Sequence, residues 1–273
     1  MPNSVVRIDL PLPHPAVRVC QDFIRVHAGS FFRASQLLSA RRRAAVWAIY
    51  TVCSVGEAIV DEGAHSSEQR RARLEGWWQS VRLALSGRHQ DDPVFEAFAW
   101  AVTTYRVPPS AFQELYQGLL MDLDGATYHS TYDLAQYCFR IGGAIGLMLA
   151  PVCGYTGGTE TLAAVIRLGQ ALQLTQILRH VGEDLRLGRL YLPTTLLEKH
   201  GVNLLALRRG QSTAEYRTLM CELVALNRQW YAQAEPHLCR LQGPAPLALS
   251  MVTEIYQAVL CELEATHTPA GVA

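Results

Sequence analysis

The chain has no surplus of charge of either sign and no long uninterrupted apolar run. Its 24 Lys and Arg residues balance 24 Asp and Glu residues, so the formal net charge is +0 at pH 7. This balance argues against a broadly basic nucleic-acid-binding surface and against an acidic solvating tail. The longest low-charge stretch, 141–160, is interrupted by Pro151 and falls short of the roughly 20 apolar residues that a bilayer span needs. The first residues lack the apolar core of a signal peptide. We therefore expect a soluble protein that binds no nucleic acid.

The sequence also lacks a pattern of paired cysteines. Its seven cysteines are scattered along the 273 residues, and no two of them form a C-x-x-C pair. Cysteine in an apolar helical segment behaves as a small hydrophobic residue. An odd, unpaired set fits a reducing cytoplasm better than a disulfide framework. The sequence thus predicts a cytoplasmic protein, although a hydrophobic substrate could still draw it to a membrane as a peripheral protein.

Convincing two-residue alternation, which is typical of strands, is missing, and helical periodicity dominates instead. Short loops and the lack of a linker or repeat favour one all-α domain, a helical bundle. We assign residues 1–15 to an extended N-terminal segment and residues 16–268 to the domain. The clearest predicted helices cover approximately 16–38, 41–63, 159–188, 213–235 and 245–266.

Two of these helices place polar residues at helical spacing within otherwise apolar runs. Offsets of three and four residues put each set on one helix face, and charges on such a face are costly to bury unless they are compensated. Two such faces turned toward each other would form a cavity suited to a divalent cation and a polyanionic ligand. The first set is Tyr50, Ser54, Glu57 and Asp61, and the second is Gln173, Gln176, His180 and Asp184.

Each set also has a simpler interpretation. Glu57 and Asp61 lie one turn apart near Gly63, as a solvated pair at a helix end would, and a lone histidine such as His180 is usually structural. Imidazole is moreover a poor Mg²⁺ ligand and suits zinc or iron better. Arg179 and Glu183, at i+4 spacing, could form an intrahelical ion pair. Arg186, Arg189 and Tyr191 follow, and arginine is well shaped for bidentate phosphate contact.

Glycines are concentrated between residues 141 and 158, at positions 142, 143, 146, 154, 157 and 158. Glycine inside a helix costs about 1 kcal/mol relative to alanine, so a reason in packing or ligand binding is expected. One interpretation is a close approach of two helices. The other is a helix that bends away to leave room for a long apolar ligand.

Several segments resemble the squalene and phytoene synthases, the head-to-head prenyl-diphosphate synthases with the all-α isoprenoid synthase fold around a central cavity. The resemblance extends from about Cys20 to Gly201 and becomes general after residue 205. The run ending in GRLYLP is its most diagnostic part. The segments are HAGSFFRASQLL, RRRAAVWAIYTVC with IVDE, LLMDLDGATY, YCFRIGGAIGLMLAPVCGY and QLTQILRHVGEDLRLGRLYLP.

The resemblance implies a prenyltransferase that uses Mg²⁺, with Mn²⁺ as the alternative metal. It would join two farnesyl or geranylgeranyl diphosphates head-to-head in carotenoid or other isoprenoid biosynthesis. Implied metal ligands are Glu57, Asp61, Gln176 and Asp184, and implied catalytic residues are Tyr50, Asp61, Tyr137 and Asp184. Implied substrate-binding residues are His27, Phe31, Ser54, Asp122, Gln173, Arg179, His180, Arg189 and Tyr191.

The chain departs from the family pattern at several of these positions. The first aspartate motif begins with Glu57 and Ala58 instead of two aspartates, and Ser54 stands where an arginine is usual. In the second motif Gln176 replaces asparagine and His180 replaces the first aspartate. Two functions therefore stay open: a synthase with altered chemistry, or an inactive synthase-like protein that binds an isoprenoid or a partner protein. A zinc enzyme built on His180 is a third and more distant alternative, and the sequence does not indicate an oligomeric state.

Overall fold

The computed structural model describes residues 10–88 and 91–267. Within these ranges the regular structure is helical, apart from one isolated antiparallel bridge between Tyr155 and Leu241. The first seven helices are α1 (His14–His27), α2 (Gly29–Ser35), α3 (Ala40–Asp61), α4 (Ser67–Leu85), α5 (Pro93–Tyr105), α6 (Pro109–Leu123) and α7 (Thr131–Cys138). A π-helical turn, Phe139–Gly143, then leads into α8 (Ala144–Cys153), α9 (Gly158–Arg186), α10 (Thr194–His200), α11 (Leu204–Arg208), α12 (Ala214–Leu238) and α13 (Ala245–His267).

Side-chain caps fix the starts of several helices. Ser66 accepts a hydrogen bond from the Gln69 amide while the Gln69 side chain accepts one from the Ser66 amide, forming a capping box before α4. Ser130 and Asp133 form the same arrangement before α7. Asp92 accepts bonds from two amides at the start of α5, where Pro93 occupies the first position. Each cap satisfies amides that have no partner inside the helix.

The prediction of one helix over residues 16–38 is wrong. The chain instead forms α1 and α2, separated at Ala28, whose φ of −140° and ψ of 54° lie outside the helical region. Gly29 follows immediately, and glycine stabilises a helix interior poorly. The break redirects the chain so that residues 27–31 line a cavity. The predicted N-terminal segment lies outside the described residues up to position 9, and α1 begins at His14, within the span 1–15 predicted as extended.

Gly142 and Gly146 of the 141–158 segment permit close backbone packing, as the first of the two interpretations predicts. A Cβ atom on Gly142 would overlap the carbonyl oxygen of Gly169, and one on Gly169 would overlap the carbonyl oxygen of Gly142. A Cβ atom on Gly146 would likewise overlap the carbonyl oxygen of Val165. The π-helical turn and α8 therefore lie directly against the backbone of α9. Gly142 and Gly146 also line the cavity, so the same contact shapes its wall.

Two helical stretches, Ala40–Asp61 and Thr131–Cys153, are long and apolar enough to cross a membrane by length and composition alone. In the most apolar 18-residue window of each stretch, 67% of the first and 50% of the second is buried inside the protein. Core helices of a soluble bundle reach the same length and apolar composition. In this protein the apolar side chains of both stretches build the core around the cavity.

Candidate functional site

A cavity of about 530 Å³ lies between α2, α3, α8, α9 and α13. Its walls are mostly apolar, with residues such as Leu149, Leu168 and Ile255. Pockets of this kind suit a hydrophobic ligand held in orientation by a few polar groups. Seven of the predicted site residues line it: His27, Phe31, Tyr50, Glu57, Gln173, Gln176 and Arg179.

The polar residues of the cavity come from the two predicted helix faces, which the fold turns toward one another. Glu57 from α3 lines the same cavity as Gln173, Gln176 and Arg179 from α9. Burial, together with the negative charges of Asp61 and Asp122, raises the pKa of Glu57 to about 7. The carboxyl group therefore lies in a region of accumulated negative charge, where a bound cation would be stabilised.

A buried aromatic cluster surrounds Asp122 of α6. Tyr137 donates a hydrogen bond to its Oδ2 at 2.9 Å, and Tyr191 donates one to its Oδ1 at 2.7 Å. The rings of Tyr137 and Tyr191 stack with centroids 4.8 Å apart. Burial raises the pKa of Asp122 to about 6, although the two phenol hydrogen bonds and Arg189 act in the opposite direction. Three predicted residues thus form one rigid unit, in which Asp122 orients the two phenols.

Arg189 joins the first helix face to the segment that follows the second. Its Nη1 donates to Asp61 Oδ1 at 2.5 Å, and its Nη2 donates to the Val60 carbonyl at 3.0 Å. Burial opposes the charge of Arg189, but the hydrogen bond with Asp61 and the nearby negative groups raise its pKa above the ordinary value. Asp61, predicted as a metal ligand, therefore has an arginine partner in this structure.

The remaining residues of the second face divide between two environments. Burial raises the pKa of Asp184 to about 6 despite the positive charges of Arg189 and His180. His180 contacts Glu183 through Nδ1 at 2.8 Å. The suggested ion pair of Glu183 with Arg179 is thus replaced by a contact with His180, three residues away, which leaves Arg179 on the cavity wall. His180 is not among the residues that line the cavity.

Aromatic and hydroxyl groups form the wall near the α1–α2 break. Phe31 stacks on Tyr50 with ring centroids 4.3 Å apart. Burial, followed by the charge of Glu57, raises the pKa of Tyr50, so its phenol stays protonated. His27 also lines the cavity, and its ring lies 4.4 Å from that of Phe23.

Divalent cations such as Mg²⁺ bind to several oxygen ligands that lie close together. Among residues 10–88 and 91–267, no group of three or more His, Cys, Asp or Glu side chains lies close enough together to hold a metal ion. Mg²⁺, however, commonly binds through one or two carboxylates together with waters and substrate phosphates. The carboxylates of Glu57, Asp61 and Asp184 and the amide oxygen of Gln176 are hard oxygen donors. These oxygens are of the chemical type that Mg²⁺ or Mn²⁺ binds together with a diphosphate.

Two tyrosines of this region were not predicted as site residues. Tyr128 packs its ring edge against Tyr137 at 5.3 Å and lies 5.7 Å from Tyr191. It ends the segment LLMDLDGATY, so its position there could have indicated a role. Tyr256 of α13 lines the cavity, and the charge of Glu57 adds to the effect of burial in raising its pKa. Its helix lies where the resemblance is only general, and no sequence signal marked it.

Comparison with known proteins assigns this chain to a family. A profile of the family described as squalene/phytoene synthase matches residues 24–270. The phytoene synthase of Thermus thermophilus is 37% identical over 244 residues, covering 88% of this chain and 80% of that protein. Phytoene synthase 3 of Zea mays, a chloroplast protein, is 34% identical over 251 residues, covering 90% of this chain and 58% of its own length. The chain therefore belongs to the squalene/phytoene synthase family.

Solved structures give the same result for the fold. A dehydrosqualene synthase in complex with a ligand superimposes with a TM-score of 0.86 at 25% identity, covering 93% of this chain and 88% of the other. A squalene synthase from Alicyclobacillus acidocaldarius gives a TM-score of 0.85 at 22% identity, covering 94% and 97%. The predicted family, the all-α isoprenoid synthase fold and the prenyltransferase class of enzyme are confirmed. The similarity also extends well past residue 205, farther than the sequence segments indicate.

Proposed function

We propose that this protein condenses two prenyl diphosphates, farnesyl or geranylgeranyl, head-to-head with loss of diphosphate. The observation that carries the proposal is the cavity, which presents Glu57, Gln176 and Arg179 within mostly apolar walls. A diphosphate needs cationic and metal-binding groups, and its prenyl chain needs an apolar wall of this kind. Both requirements are met in one space.

Glu57, Asp61, Gln176 and Asp184 would hold Mg²⁺ together with the diphosphate. The metal, when bound, neutralises the charge that develops on the departing diphosphate. Arg179 on the cavity wall and Arg189 beside Asp61 would contact phosphate oxygens. Arginine suits this because its planar guanidinium can donate two parallel hydrogen bonds. These residues bind and orient the leaving group at the polar side of the cavity.

The rest of the cavity excludes water from the allylic cation that remains. Phe31 and Tyr50 present stacked rings on this wall, and the face of an aromatic ring attracts a cation. The double bond of the second prenyl diphosphate would attack this cation and lose a proton, giving a cyclopropyl diphosphate. Departure of the second diphosphate, rearrangement and loss of another proton would then give the hydrocarbon, as the resemblance to the family implies. Asp122 would act through Tyr137 and Tyr191, since it accepts a hydrogen bond from each phenol.

The direct test is incubation with farnesyl or geranylgeranyl diphosphate and Mg²⁺, followed by measurement of pyrophosphate release and of extracted hydrocarbon. We expect metal-dependent release and a C30 or C40 product. Asp184→Asn provides the matched inactive control, because it removes a metal ligand while retaining the size of the side chain. Failure to release pyrophosphate from any C10 to C20 prenyl diphosphate would refute the proposal.

An inactive protein that binds an isoprenoid is the second candidate, and one observation favours it. Asp61 is paired with Arg189 and His180 with Glu183, so two residues at aspartate-motif positions already have a charged partner within the chain. Calorimetry with a non-hydrolysable prenyl thiodiphosphate distinguishes the two candidates. An active synthase binds it far more tightly when Mg²⁺ is present, whereas an inactive binder gives the same affinity with and without the metal.

A cytoplasmic location with peripheral contact to a membrane forms part of the same proposal. All seven cysteines are free thiols, which suits a reducing compartment. On α13, Leu247, Met251 and Ile255 follow one another at four-residue spacing and are 58%, 38% and 40% exposed. Ile255 also lines the cavity, so this apolar face adjoins the space for the prenyl chain. Flotation with phosphatidylcholine vesicles tests this contact with a membrane. The natural protein should migrate with the vesicles, and Met251→Asp should abolish this co-migration.

A further inference from the structure

The helix that carries the second set of polar residues is supported by a helix that does not reach the cavity. α12 packs against α9 more extensively than any other two elements pack in the described part of the chain. No described residue of α12 lines the cavity, whereas α9 contributes Gln173, Gln176 and Arg179. The buried residues of α12 are mainly apolar. Because apolar contact is not directional, it determines the rotation of α9 about its own axis only weakly.

A buried polar network interrupts this apolar contact. The Thr175 hydroxyl of α9 accepts a hydrogen bond from Nδ2 of Asn227 at 2.8 Å and lies 2.9 Å from the hydroxyl of Tyr231, both on α12. It also donates to the Ala171 carbonyl of its own helix at 2.9 Å. A hydroxyl has one proton, so Tyr231 is the donor in its contact with Thr175. Thr175 and Asn227 are 0% exposed, and Tyr231 is 4% exposed.

This network forms in one register of the two helices. Burial raises the pKa of Tyr231, against the effect of its hydrogen bond with Thr175, so the phenol keeps the proton that it donates. A slide of α12 by one turn, or a rotation of α9, would leave the Asn227 amide and the phenol buried without a partner. Such unpaired groups destabilise the folded state. Single buried polar residues fix the register of coiled coils in the same way.

The network is a poor device for stability alone. Oδ1 of Asn227 is buried and has no hydrogen-bond partner among the described residues, and an unsatisfied buried acceptor is destabilising. Replacing every polar member of such a cluster by an apolar group of the same shape is often neutral or stabilising. A cluster that adds little net stability but permits one register has the properties that positioning requires.

The position of Thr175 connects this register with the polar side of the cavity. Thr175 directly precedes Gln176 and lies one turn before Arg179. Side chains extend about 5 Å from a helix axis, so a rotation of α9 by about 20° would move their ends by about 2 Å. A misplacement of about 1 Å can cost roughly 100-fold in rate. Diphosphate binding therefore tolerates less rotation of α9 than the apolar contact with α12 does.

We propose that Thr175, Asn227 and Tyr231 are positioning residues, which fix the rotation of α9 so that Gln176 and Arg179 face the diphosphate. This inference rests on the proposed function, since it assumes that a diphosphate binds at these two residues. None of the three positioning residues lines the cavity, so they act through the helix. Binding of an apolar chain depends on them less, because apolar contact is not directional.

The test separates positioning from stability. We call Thr175→Val/Asn227→Leu/Tyr231→Phe the apolar variant, because it replaces the network with apolar side chains of similar shape and leaves no polar group unpaired. Its affinity for a C15 prenyl thiodiphosphate with Mg²⁺ should fall at least about tenfold, as for residues that orient metal ligands. Its affinity for the C15 prenyl alcohol without metal should stay within about twofold. Thr175→Ser keeps the hydroxyl and should retain both natural affinities.

A second buried threonine of α9 provides the matched control. Thr161 is also 0% exposed, and its hydroxyl donates to the Thr156 carbonyl at 2.6 Å. It lies 14 positions before Thr175, which corresponds to about 21 Å along the helix. Thr161→Val should lower the melting temperature, because the carbonyl loses its side-chain donor. It should leave both affinities unchanged, so a loss of stability alone does not produce the expected pattern.

All affinities are measured by calorimetry at a temperature where thermal unfolding shows that each variant is folded. Natural affinities for both probes in the apolar variant, or equal losses for both, overturn the proposal. If Mg²⁺ does not increase the affinity of the natural protein for the thiodiphosphate, the proposed function fails. Crystal structures of the natural protein and the apolar variant then decide the role of the network. Rotation of α9 relative to α3 supports positioning, and superimposable helices refute it.

Discussion

Arg189 and Asp61 form a charge-assisted hydrogen bond, with Nη1 of the arginine 2.5 Å from Oδ1 of the aspartate. The two residues lie 128 positions apart, and their pairing brings the end of α3 against the segment that follows α9. The arginine side chain is only 12% exposed, whereas the aspartate is 59% exposed. A rigid cation therefore holds a carboxylate that still faces solvent, where an incoming metal and diphosphate can reach it.

Replacing Arg189 with lysine should impair the reaction more than it impairs folding. Lysine keeps the charge but cannot bond the Asp61 carboxylate and the Val60 carbonyl together as the planar guanidinium does. Residues that orient metal ligands typically contribute about 10–100-fold to metal affinity or activity. We expect Arg189→Lys to lower the rate of pyrophosphate release by about that factor, measured with farnesyl diphosphate at saturating Mg²⁺.

A distant arginine provides the control for this variant. Arg228 pairs with Glu264 between α12 and α13, on helices that supply none of the predicted metal ligands. Arg228→Lys should leave the rate within about twofold, because pairs of this kind contribute little beyond local stability. Equal rates for Arg189→Lys and the natural protein would show that the contact with Asp61 has no part in the reaction.

Binding of Mg²⁺ with a diphosphate should release protons near neutral pH. Burial and neighbouring carboxylates raise the pKa of Glu57 to about 7, so the group is partly protonated at pH 6.5. A metal ligand must be deprotonated, which means that metal affinity rises with pH until Glu57 is fully ionised. Asp122 and Asp184, with pKa values of about 6, contribute mainly below that pH.

Calorimetry in two buffers of different ionisation enthalpy measures the protons released with Mg²⁺ and a prenyl thiodiphosphate. Release should be substantial at pH 6.5 and close to zero at pH 8.5. In Glu57→Gln it should fall at pH 6.5, since the amide has no proton to lose. Identical release from Glu57→Gln and the natural protein would place the titrating group elsewhere.

The periodicity of polar residues was enough to predict that two helix faces meet. Tyr50, Glu57, Gln173 and Gln176 line one cavity because the helical repeat places them on one side of each helix. The caps at Ser66 and Asp92 likewise depend on short-range spacing, since their hydrogen bonds join neighbouring residues. Features that depend on short-range spacing can therefore be predicted from the sequence.

Contacts between distant segments were not readable in this way. The pairing of Arg189 with Asp61 and the bonds of Tyr137 and Tyr191 with Asp122 depend on how whole helices pack. The sequence suggested Arg179 as the partner of Glu183 because of its charge and its i+4 spacing, whereas the contact that forms is with His180. The break at Ala28 was not predicted, because the apolar periodicity continues through it. Tertiary packing decided each of these cases.

Restoring the usual residues of the aspartate motifs should raise synthase activity. Ser54→Arg, Ala58→Asp and His180→Asp would return phosphate-binding and metal-binding charge to the two helix faces. Ser54 and His180 are half-buried and Ala58 is exposed, so the surface can accommodate the new groups. Each charge-assisted contact contributes roughly 1.5–3 kcal/mol, so we expect the triple variant to gain at least about tenfold in pyrophosphate release.

The control for the restored variant is the same protein with Asp184→Asn, which should lose the gain because a metal ligand is missing. Product analysis by extraction and chromatography shows whether the restored protein makes more of the same hydrocarbon or a different one. An unchanged rate in the triple variant would mean that the present residues already suit the reaction this protein performs.

The contact between Gly142 and Gly169 should be the most sensitive point of the scaffold. A Cβ atom at position 142 would overlap the Gly169 carbonyl oxygen and lie 2.8 Å from Cβ of Gln173, so the helices would have to separate. Overpacking of this kind usually costs about 1–3 kcal/mol, and backbone atoms yield less readily than a flexible side chain. We expect Gly142→Ala to lose stability at the upper end of that range in urea denaturation.

Gly76→Ala is the matched control, because among the described residues no atom outside its own helix backbone and chain neighbours lies within 4 Å of the added carbon. Glycine in a helix interior is less stable than alanine by roughly 0.5–1 kcal/mol, so this change should stabilise the protein. Loss of stability in both variants would show that the substitution disturbs helices generally, whereas opposite signs would assign the cost to the contact between the π-helical turn and α9.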